Sequence, residues 1–257
     1  IPEVNYLYAI PYPLYRRLQV RRYGFHGTSH RYVSQRYAKI THTPVEKLKM
    51  ITIHLGNGCS ACAILNGKSF DTSMGFTPME GLMMGTRCGN LDVGAAEHIM
   101  QKEGMSISEL DQMLNKQSGL LGISGLTNDM RELLEEEERH EDRRVSLAID
   151  MFCKKVKYYI GAYCALMDGA DAIVFTGGIG ENASKIREKI CAEMSFFGIT
   201  IDKGKNEKTT FKKEGEISTH NSKLKIWVIP TNEELIIARD TYECIEQQQP
   251  GKQAEKF

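Results

Sequence analysis

The sequence shows no excess of charge of either sign, because 33 Lys and Arg residues balance 33 Asp and Glu residues. A protein that binds nucleic acid or a membrane surface electrostatically usually carries a basic excess, so the composition supports neither role. No apolar run approaches the roughly 18 residues that cross a bilayer, and no charged start with an apolar signal core opens the sequence. These absences predict a soluble, cytoplasmic protein that binds neither nucleic acid nor membranes.

The cysteines do not form a disulfide pattern. They number seven, an odd count, and lie scattered through apolar runs, which is typical of reduced, buried thiols. Cys59 and Cys62 have the CxxC spacing, but they fall in a predicted strand and the sequence holds no second such pair. We therefore expect no metal or redox role for them.

Three short strands give the clearest pattern in the chain. With 257 residues, 41% of them hydrophobic, the chain can bury a core as one large domain or two small ones. Apolar residues alternate over 51–55, and two further runs cover 59–65 and 68–72. Asn66 and Gly67 separate the last two runs and favour a type I′ turn, because both of its central positions need a positive φ. The pattern predicts a three-stranded meander.

Two glycine-rich corners adjoin predicted strands. Gly56-Asn57-Gly58 leaves backbone N–H groups bare for phosphate oxygens, although the loop alone favours an ordinary hairpin turn. The buried-type strand 172–175 runs into residues 176–182, TGGIGEN, and apolar spacing from Ile186 to Phe197 marks a helix after them. This strand, glycine turn and helix can bind an anion or wrap an adenosine, but the turn is neither a Walker A loop nor a strict GxGxxG.

Histidine and arginine side chains supply further candidates, each with a structural alternative. His26 and His30 are four residues apart, but the glutamate of a zinc-binding HExxH is missing. A functional role and a capping or core role both remain open for them. Arg87 is flanked by glycines, so its planar guanidinium can extend toward phosphoryl oxygens. A surface salt bridge to Asp92 or Glu97 is the alternative.

Capping residues and apolar spacing predict the remaining elements. The predicted helices are 32–38, capped by Thr28 or Ser29, then 106–115, a segment that begins at 127–129 and reaches the charged block 135–144, and Val145 to Gly169. The remaining strands are 199–201 and 226–229.

The C-terminal part offers one candidate metal ligand. Thr231 as N-cap would place Glu234 at the third helical position and complete a capping box. Glu233 is then left to hold a metal ion, with a solvated surface carboxylate as the alternative. The residues beyond Cys244 are polar, and we expect them to be frayed.

Taken together, these stretches resemble the acetate kinase family, within the larger sugar-kinase, Hsp70 and actin superfamily. The matching text is YGFHGTSH, HLGNGCS, DTSMGFTPMEGLMMGTRCGNLDVG, FTGGIGENA and VIPTNEEL, in the family's order and at its approximate spacing. The match extends from about Pro11 to Thr241 and outweighs the alternatives given for single loops.

The resemblance implies an α/β fold, an actin-like ATPase domain of the ribonuclease H-like type, in which helices flank a mixed sheet. Residues 1–22 are then a connector, 23–240 the nucleotide-binding domain and 241–257 a C-terminal tail. Family members are longer at the N-terminus, where a sister domain carries a second phosphate loop, an arginine that contacts the acyl substrate, and an aspartate. That domain is missing here and the first residue is Ile rather than Met, so we expect natural sequence to precede it.

The same resemblance implies in-line phosphoryl transfer between ATP and acetate, giving ADP and acetyl phosphate, with Mg²⁺ or Mn²⁺, by a homodimer. His26 and Arg87 match the pair that stabilises the transition state, which needs positioned donors more than covalent chemistry. Glu233 matches the metal-linked glutamate. The residues that match the ATP/ADP site are His54, Leu55, Gly56, Asn57, Gly58, Asp129, Met130, Arg131, Gly177, Gly178, Ile179, Gly180, Glu181 and Asn182.

The expected function is that of an acetate kinase, with this chain as its nucleotide-binding half and inactive by itself. The close match of the central motifs favours acetate among the short-chain carboxylates, and a propionate or butyrate kinase is the near alternative. A truncated, non-catalytic nucleotide-binding module is the alternative from another functional class.

Overall fold

A six-stranded mixed sheet forms the centre of the computed structural model, which describes residues 1–248. The strands are β1 Lys49–Leu55, β2 Cys59–Leu65, β3 Lys68–Thr72, β4 Ala172–Thr176, β5 Gly215–Glu216 and β6 Lys225–Val228. Their spatial order is β3-β2-β1-β4-β6-β5. The first three strands pair antiparallel, whereas β4 runs parallel to both β1 and β6. This arrangement confirms the predicted α/β fold with a mixed sheet between helices.

Helices cover both faces of the sheet. Within residues 1–248 they are α1 Glu3–Tyr6, α2 Tyr12–Leu18, α3 Gly27–Ile40, α4 Val93–Glu103, α5 Ile107–Lys116, α6 Gly119–Ser124, α7 Met130–His140, α8 Arg143–Leu166, α9 Gly177–Asn182, α10 Ser184–Cys191, α11 Lys203–Lys208 and α12 Glu233–Gln248. None of these is both long and apolar enough to span a membrane.

The meander forms as its sequence pattern predicts. Asn66 and Gly67 both adopt positive φ, 54° and 75°, as a type I′ turn requires. Because side chains alternate along a strand, Ile51, Ile53 and Leu55 of β1 face the large core around α8. The residues between them point to the opposite face, which α3 covers. This alternation decides which polar side chains of β1 and β2 meet the residues of α3.

Three of the predicted helices are also confirmed. α5 carries a complete capping box between Ser106 and Glu109. Asp129 caps α7 by accepting a hydrogen bond from the backbone N–H of Arg131. α8 ends just before Gly169, whose positive φ of 93° suits a residue without a Cβ. In each case the local sequence alone holds the signal.

The cap predicted for α3 is wrong. The helix begins at Gly27, so Thr28 and Ser29 lie inside its first turn instead of before it. His26 occupies the N-cap position in a left-handed conformation, φ 58°, and its side chain makes no capping hydrogen bond. Ser29 is fully buried, and its hydroxyl contacts a histidine of β1. Because the Ser29 hydroxyl makes this tertiary contact, it does not cap the helix.

Two predictions between β4 and β6 are also wrong. The helix expected from Ile186 to Phe197 ends at Cys191, because Glu193 adopts a positive φ of 57° and breaks it. The strand expected over 199–201 is reduced to a single bridge between Ile201 and Ser218. The side chain of Asp202 starts α11 at the next residue, so the extended segment has no room to lengthen.

The start and end of α12 differ from expectation as well. Asn232 supplies the cap, since its Oδ1 accepts from the N–H of Leu235 at 3.0 Å, and the Thr231 capping box is wrong. The helix continues to Gln248, so the first residues beyond Cys244, 245–248, are helical and not frayed. The rest of the expected tail, 249–257, lies outside the described residues.

Candidate active site

The two glycine-rich corners lie at one edge of the sheet. β1 and β4 run parallel with His54 opposite Thr176, so both strands end at the same place. The corner Gly56-Asn57-Gly58 follows β1, and α9 follows β4. A Cβ at Gly177 would lie 2.7 Å from the Leu55 carbonyl oxygen, and this close approach requires glycine. The carboxyl edge of parallel strands is where α/β folds place their ligands.

His26 and His54 stack at this edge, with ring centroids 4.2 Å apart. His26 Nδ1 lies 2.8 Å from the Ser60 hydroxyl of β2, and His54 Nδ1 lies 2.9 Å from the Ser29 hydroxyl of α3. In both imidazoles the bonded atom is Nδ1, so Nε2 is the nitrogen left for a ligand. The left-handed backbone of His26 is a conformation that non-glycine residues adopt mainly where function or tight packing demands it.

His30 lies behind this pair and is almost completely buried, with 3% of its surface exposed. Its Nδ1 is 2.8 Å from the Thr52 hydroxyl and its Nε2 is 2.8 Å from the Ser60 hydroxyl. Both ring nitrogens are therefore used inside the protein. His30 is therefore a core histidine, which was one of the two open alternatives, whereas His26 lies at the sheet edge.

The pKa values of all three imidazoles lie below the ordinary 6.5, which favours their uncharged form at neutral pH. Burial, and then the charge of Arg87, lower the pKa of His26 from its ordinary value of 6.5. Burial and the two neighbouring histidines lower the pKa of His30 to about 3. Burial and His26 lower the pKa of His54 to about 4. The cost of removing an imidazolium from water dominates in each case.

Arg87 and His26 approach the same point of the first corner, Gly56-Asn57-Gly58. A Cβ built on Gly58 would lie 3.5 Å from Arg87 Nη1 and 3.5 Å from His26 Nε2, so both groups flank the same point. Arg87 Nη1 also donates to the Pro78 carbonyl at 3.2 Å, which holds the guanidinium at the edge. Within residues 1–248 the surface salt bridge with Asp92 or Glu97 does not form.

Asp129 and Arg131 lie near the first corner but bind each other. Arg131 donates to both carboxylate oxygens of Asp129, at 3.1 and 2.6 Å. Asn128, the residue before them, donates to the Asn57 side chain at 2.9 Å and so ties this segment to the corner. Met130 is buried in the core, which leaves only its backbone for a ligand.

The second corner is helical, which corrects the predicted glycine turn. α9 begins directly at Gly177, whose φ is 78°. Glu181 reaches back so that one carboxylate oxygen accepts from Gly177 N at 3.0 Å and from Thr231 N at 3.2 Å. Asn182 donates to Gly178 O at 2.9 Å. Glu181 and Asn182 therefore use their side chains to bind the backbone of their own corner.

A buried arginine that sequence reasoning missed braces this corner. Arg187 of α10 is fully buried, and it donates to Gly180 O and Glu181 O at 2.9 Å each. Its other donors bind the Asn206 side chain and the carbonyls of Asn206 and Thr209. Burial lowers its pKa to about 10, so it stays cationic at neutral pH. The sequence did hold a signal for its burial, because Arg187 lies on the apolar stripe of α10, three residues before the buried Ile190.

Glu233 lies apart from the histidines. It begins α12 and lines a cavity of about 670 Å³ together with Glu181 and Thr231. In the part of the chain that the structure describes, no group of three His, Cys, Asp or Glu residues is arranged to hold a metal ion. Among the described residues 1–248, the buried hydroxyls of Thr176 and Thr231, both at this edge, have no hydrogen-bond partner. Such orphaned groups are typical of sites that a ligand or water completes.

Comparison with known proteins identifies the family. Residues 1–239 match the Acetokinase family. The acetate kinase of Chloroherpeton thalassium is 59% identical over 245 residues, which are 95% of this chain and 59% of that protein. The acetate kinase of Thermotoga maritima is 53% identical, with 96% of this chain and 61% of that protein covered. This chain thus spans about 60% of the length of these relatives.

Solved structures agree with the sequence match. The crystal structure of Porphyromonas gingivalis acetate kinase superposes with a TM-score of 0.92 at 47% identity, covering 95% of this chain and 61% of that one. A propionate kinase from Francisella tularensis gives 0.87 at 46% identity, covering 93% and 60%. These likenesses confirm the predicted fold class. The family match over nearly all of the chain, together with this shared fold, shows that the chain belongs to the acetokinase family.

Proposed function

We propose that this chain supplies the nucleotide-binding half and the phosphoryl-transfer residues of an acetate kinase, which interconverts ATP and acetate with ADP and acetyl phosphate. The observation that carries the proposal is the convergence of His26 and Arg87 on Gly58, at the edge where both glycine corners lie. Phosphoryl transfer spreads negative charge over equatorial oxygens, and a fixed guanidinium beside an imidazole suits that charge.

The nucleotide has a matching place at the sheet edge. The backbone N–H groups of Asn57 and Gly58 face the phosphates, whereas that of Gly56 donates to the Gly58 carbonyl at 3.1 Å, and α9 with residues 129–131 flanks the adenosine. The binding roles of His54, Leu55 and Met130 differ, because Leu55 and Met130 are buried and act through their backbone. His54 keeps Nε2 for the phosphates, since Ser29 binds its Nδ1.

Mg²⁺ fits Glu233 as a single protein ligand. Mg²⁺ usually binds one or two carboxylates, several waters and the substrate's phosphates, so a cluster of protein ligands is not required. Glu233 lines an open cavity next to α9, which agrees with that arrangement. When bound, the ion neutralises charge on the phosphate oxygens. The same chemistry applies to Mn²⁺.

Acetate is the proposed acyl substrate, and propionate is the second candidate. The propionate kinase from Francisella tularensis shares the fold at 46% identity, so the fold does not separate the two acids. In the complete enzyme that carries this sequence, we expect ³¹P NMR to detect acetyl phosphate, with a higher kcat/KM for acetate than for propionate or butyrate. A preference for propionate would select the second candidate, and transfer to none of the three acids would overturn the proposal.

The isolated chain tests the nucleotide site separately from catalysis. We expect it to bind ADP weakly, because both glycine corners are present while the relatives extend beyond this chain. Calorimetry that shows no heat, with no thermal shift at millimolar ADP, would contradict the site assignment. Binding without transfer would support the non-catalytic module.

Assembly and location follow from the family resemblance. We propose a homodimer in the cytoplasm that binds no nucleic acid, in line with the balanced charge. Light scattering of the complete enzyme at twice the chain mass is the expected result, and a monomeric mass would contradict the dimer.

A further inference from the structure

A chain of hydrogen bonds leads from the middle of the sheet to His26. It passes from the Thr52 hydroxyl to the two nitrogens of His30, then to the Ser60 hydroxyl, and ends at His26 Nδ1. Thr52 and Ser60 are fully buried and His30 is 3% exposed, so water does not compete for these bonds. Because each hydroxyl has a single proton, the direction of one bond determines the direction of the next.

Contacts at both ends of the chain favour one direction. At the sheet end, the Thr52 hydroxyl has the Cys62 carbonyl as a second, longer-range acceptor at 3.5 Å, so its oxygen is able to accept from His30 Nδ1 at 2.8 Å, with the proton of this imidazole on Nδ1. At the other end, the cationic Arg87 near His26 Nε2 favours a lone pair on that nitrogen and therefore the same direction. His30 stays neutral because burial holds its pKa at about 3, so its Nε2 has no proton and can only accept. The Ser60 hydroxyl supplies that proton.

We propose that the buried Thr52–His30–Ser60 chain fixes neutral His26 as the tautomer that carries its proton on Nδ1, leaving Nε2 as a bare lone pair toward Arg87. With its proton given to His30, the Ser60 oxygen accepts from His26 Nδ1. Arg87 Nη1 and His26 Nε2 both lie 3.5 Å from the Cβ position of Gly58, and a lone pair facing a cation is favourable there. His54 stacks on the ring face of His26 and forms no hydrogen bond to it within residues 1–248.

This tautomer determines how His26 meets a phosphoryl group, a consequence that rests on the proposed function. A bare Nε2 cannot donate to a phosphate oxygen, so His26 must first gain a proton there. When it does, Nδ1 still donates to Ser60 and nothing in the chain rearranges. If the hydrogen bonds ran in the opposite direction, neutral His26 would carry its proton on Nε2. Ser60 would then donate to Nδ1 and oppose protonation of that nitrogen. Thr52, His30 and Ser60 are therefore positioning residues that keep His26 Nδ1 as the donor to Ser60, whether Nε2 is bare or protonated.

Nitrogen-15 NMR of the imidazole rings tests the tautomer directly. In ¹⁵N-histidine-labelled protein near pH 7, each ring nitrogen shows by its shift whether it carries a proton, and His26→Gln assigns the signals of His26 by their loss. We expect Nδ1 of His26 to be protonated and Nε2 to be bare. A proton on Nε2 in the unsubstituted protein would overturn the proposal, whether or not the enzyme makes acetyl phosphate.

A remote substitution tests the chain itself. Thr52→Val removes the hydroxyl that orients His30 without touching His26, and we expect the proton of His26 to move largely to Nε2. Ser60→Ala should have the same effect by removing the direct acceptor. Ser29→Ala is the matched control, since it alters the partner of His54 and should leave His26 unchanged. If His26 keeps its proton on Nδ1 in folded Thr52→Val or Ser60→Ala, the proposed role of the Thr52–His30–Ser60 chain is overturned. If Thr52→Val does not fold, the result is decided by Ser60→Ala and the unsubstituted protein.

Discussion

The imidazoles of His26 and His54 stack with their planes inclined by 23° and their centroids 4.2 Å apart. His26 directly precedes α3 and His54 is the last residue but one of β1, so the contact joins helix and strand at the carboxyl edge of β1 and β4. Two cationic rings at this distance would repel each other strongly in a partly dry site. Adding a second proton to this pair is therefore unfavourable. The Ser60 and Ser29 hydroxyls hold the two rings in their stacked arrangement.

Arg87→Ala should lower kcat of the complete enzyme far more than it raises KM for ATP. The guanidinium lies beside His26, where we propose that transition-state charge develops, and losing one such group typically costs about 10² to 10³ in rate. Steady-state kinetics with varied ATP measures both constants. Arg139→Ala is the control, because that exposed arginine pairs with Glu135 of its own helix, α7, at the surface. A loss that appears in KM alone would place Arg87 in ground-state binding.

His26→Asn and His30→Asn should separate turnover from stability. Asparagine tolerates the left-handed backbone of His26, so that variant should keep its melting temperature and lose most of its turnover, roughly 10²-fold or more. His30→Asn takes one hydrogen-bond partner from each of two buried hydroxyls, those of Thr52 and Ser60, and should unfold with about 2–4 kcal/mol less free energy. Circular dichroism measures the unfolding of both variants, and an acetyl phosphate assay measures their turnover. Early melting of His26→Asn with turnover kept at low temperature would make His26 structural.

The buried histidines should make the protein lose stability as the pH falls below 6.5. The unfolded chain protonates His30 and His54 near pH 6.5, whereas the folded protein resists until about pH 3 and 4. Between these values the unfolded state binds more protons, so each histidine removes about 1.4 kcal/mol of unfolding free energy per pH unit. Urea unfolding from pH 7 to pH 4.5 measures the slope. His54→Asn should show a shallower slope than the unsubstituted protein, and equal slopes would contradict the neutral, buried state of His54.

Local signals predicted much of the sheet and several helices. The alternation over 51–55, the Asn66-Gly67 turn and the capping box at Ser106 each act over a few residues, and tertiary contacts did not overrule them. The segment 199–201 failed because its β-branched residues favour a strand while the fold offers it one bridge only. The strand depended on a neighbour that the sequence could not reveal.

The sequence selected residues that the fold brings together, but it did not reveal the hydrogen bonds that connect them. Motif resemblance selected His26, His54 and Arg87, whereas Thr52 and Ser60 carry no motif. Strand periodicity held the signal, since 52 and 54 share one face of β1 with 60 of β2. α9 could not be foreseen, because three glycines in six residues oppose a helix by their own propensity. Tertiary bonds to the carbonyls of Gly180 and Glu181 stabilise it instead.

Arg187→Met should weaken both the fold and the nucleotide site. It leaves the α9 carbonyls of Gly180 and Glu181, and the Asn206 side chain, without their buried donor, and breaking such a network costs about 3–5 kcal/mol. Because α9 flanks the proposed adenosine site, we expect KM for ATP to rise in the complete enzyme while kcat changes less.

Arg187→Lys and Lys185→Met complete that experiment. Lysine keeps the charge but cannot reproduce the planar set of five donors, so an intermediate loss of stability is expected. Lys185 lies on the same helix and pairs at the surface with Glu138, so its substitution should change neither KM nor the melting temperature appreciably. Calorimetric melting and ATP titration at a temperature where every variant is folded measure the two effects separately. If folded Arg187→Met keeps the KM of the unsubstituted enzyme, Arg187 stabilises the domain without shaping the nucleotide site.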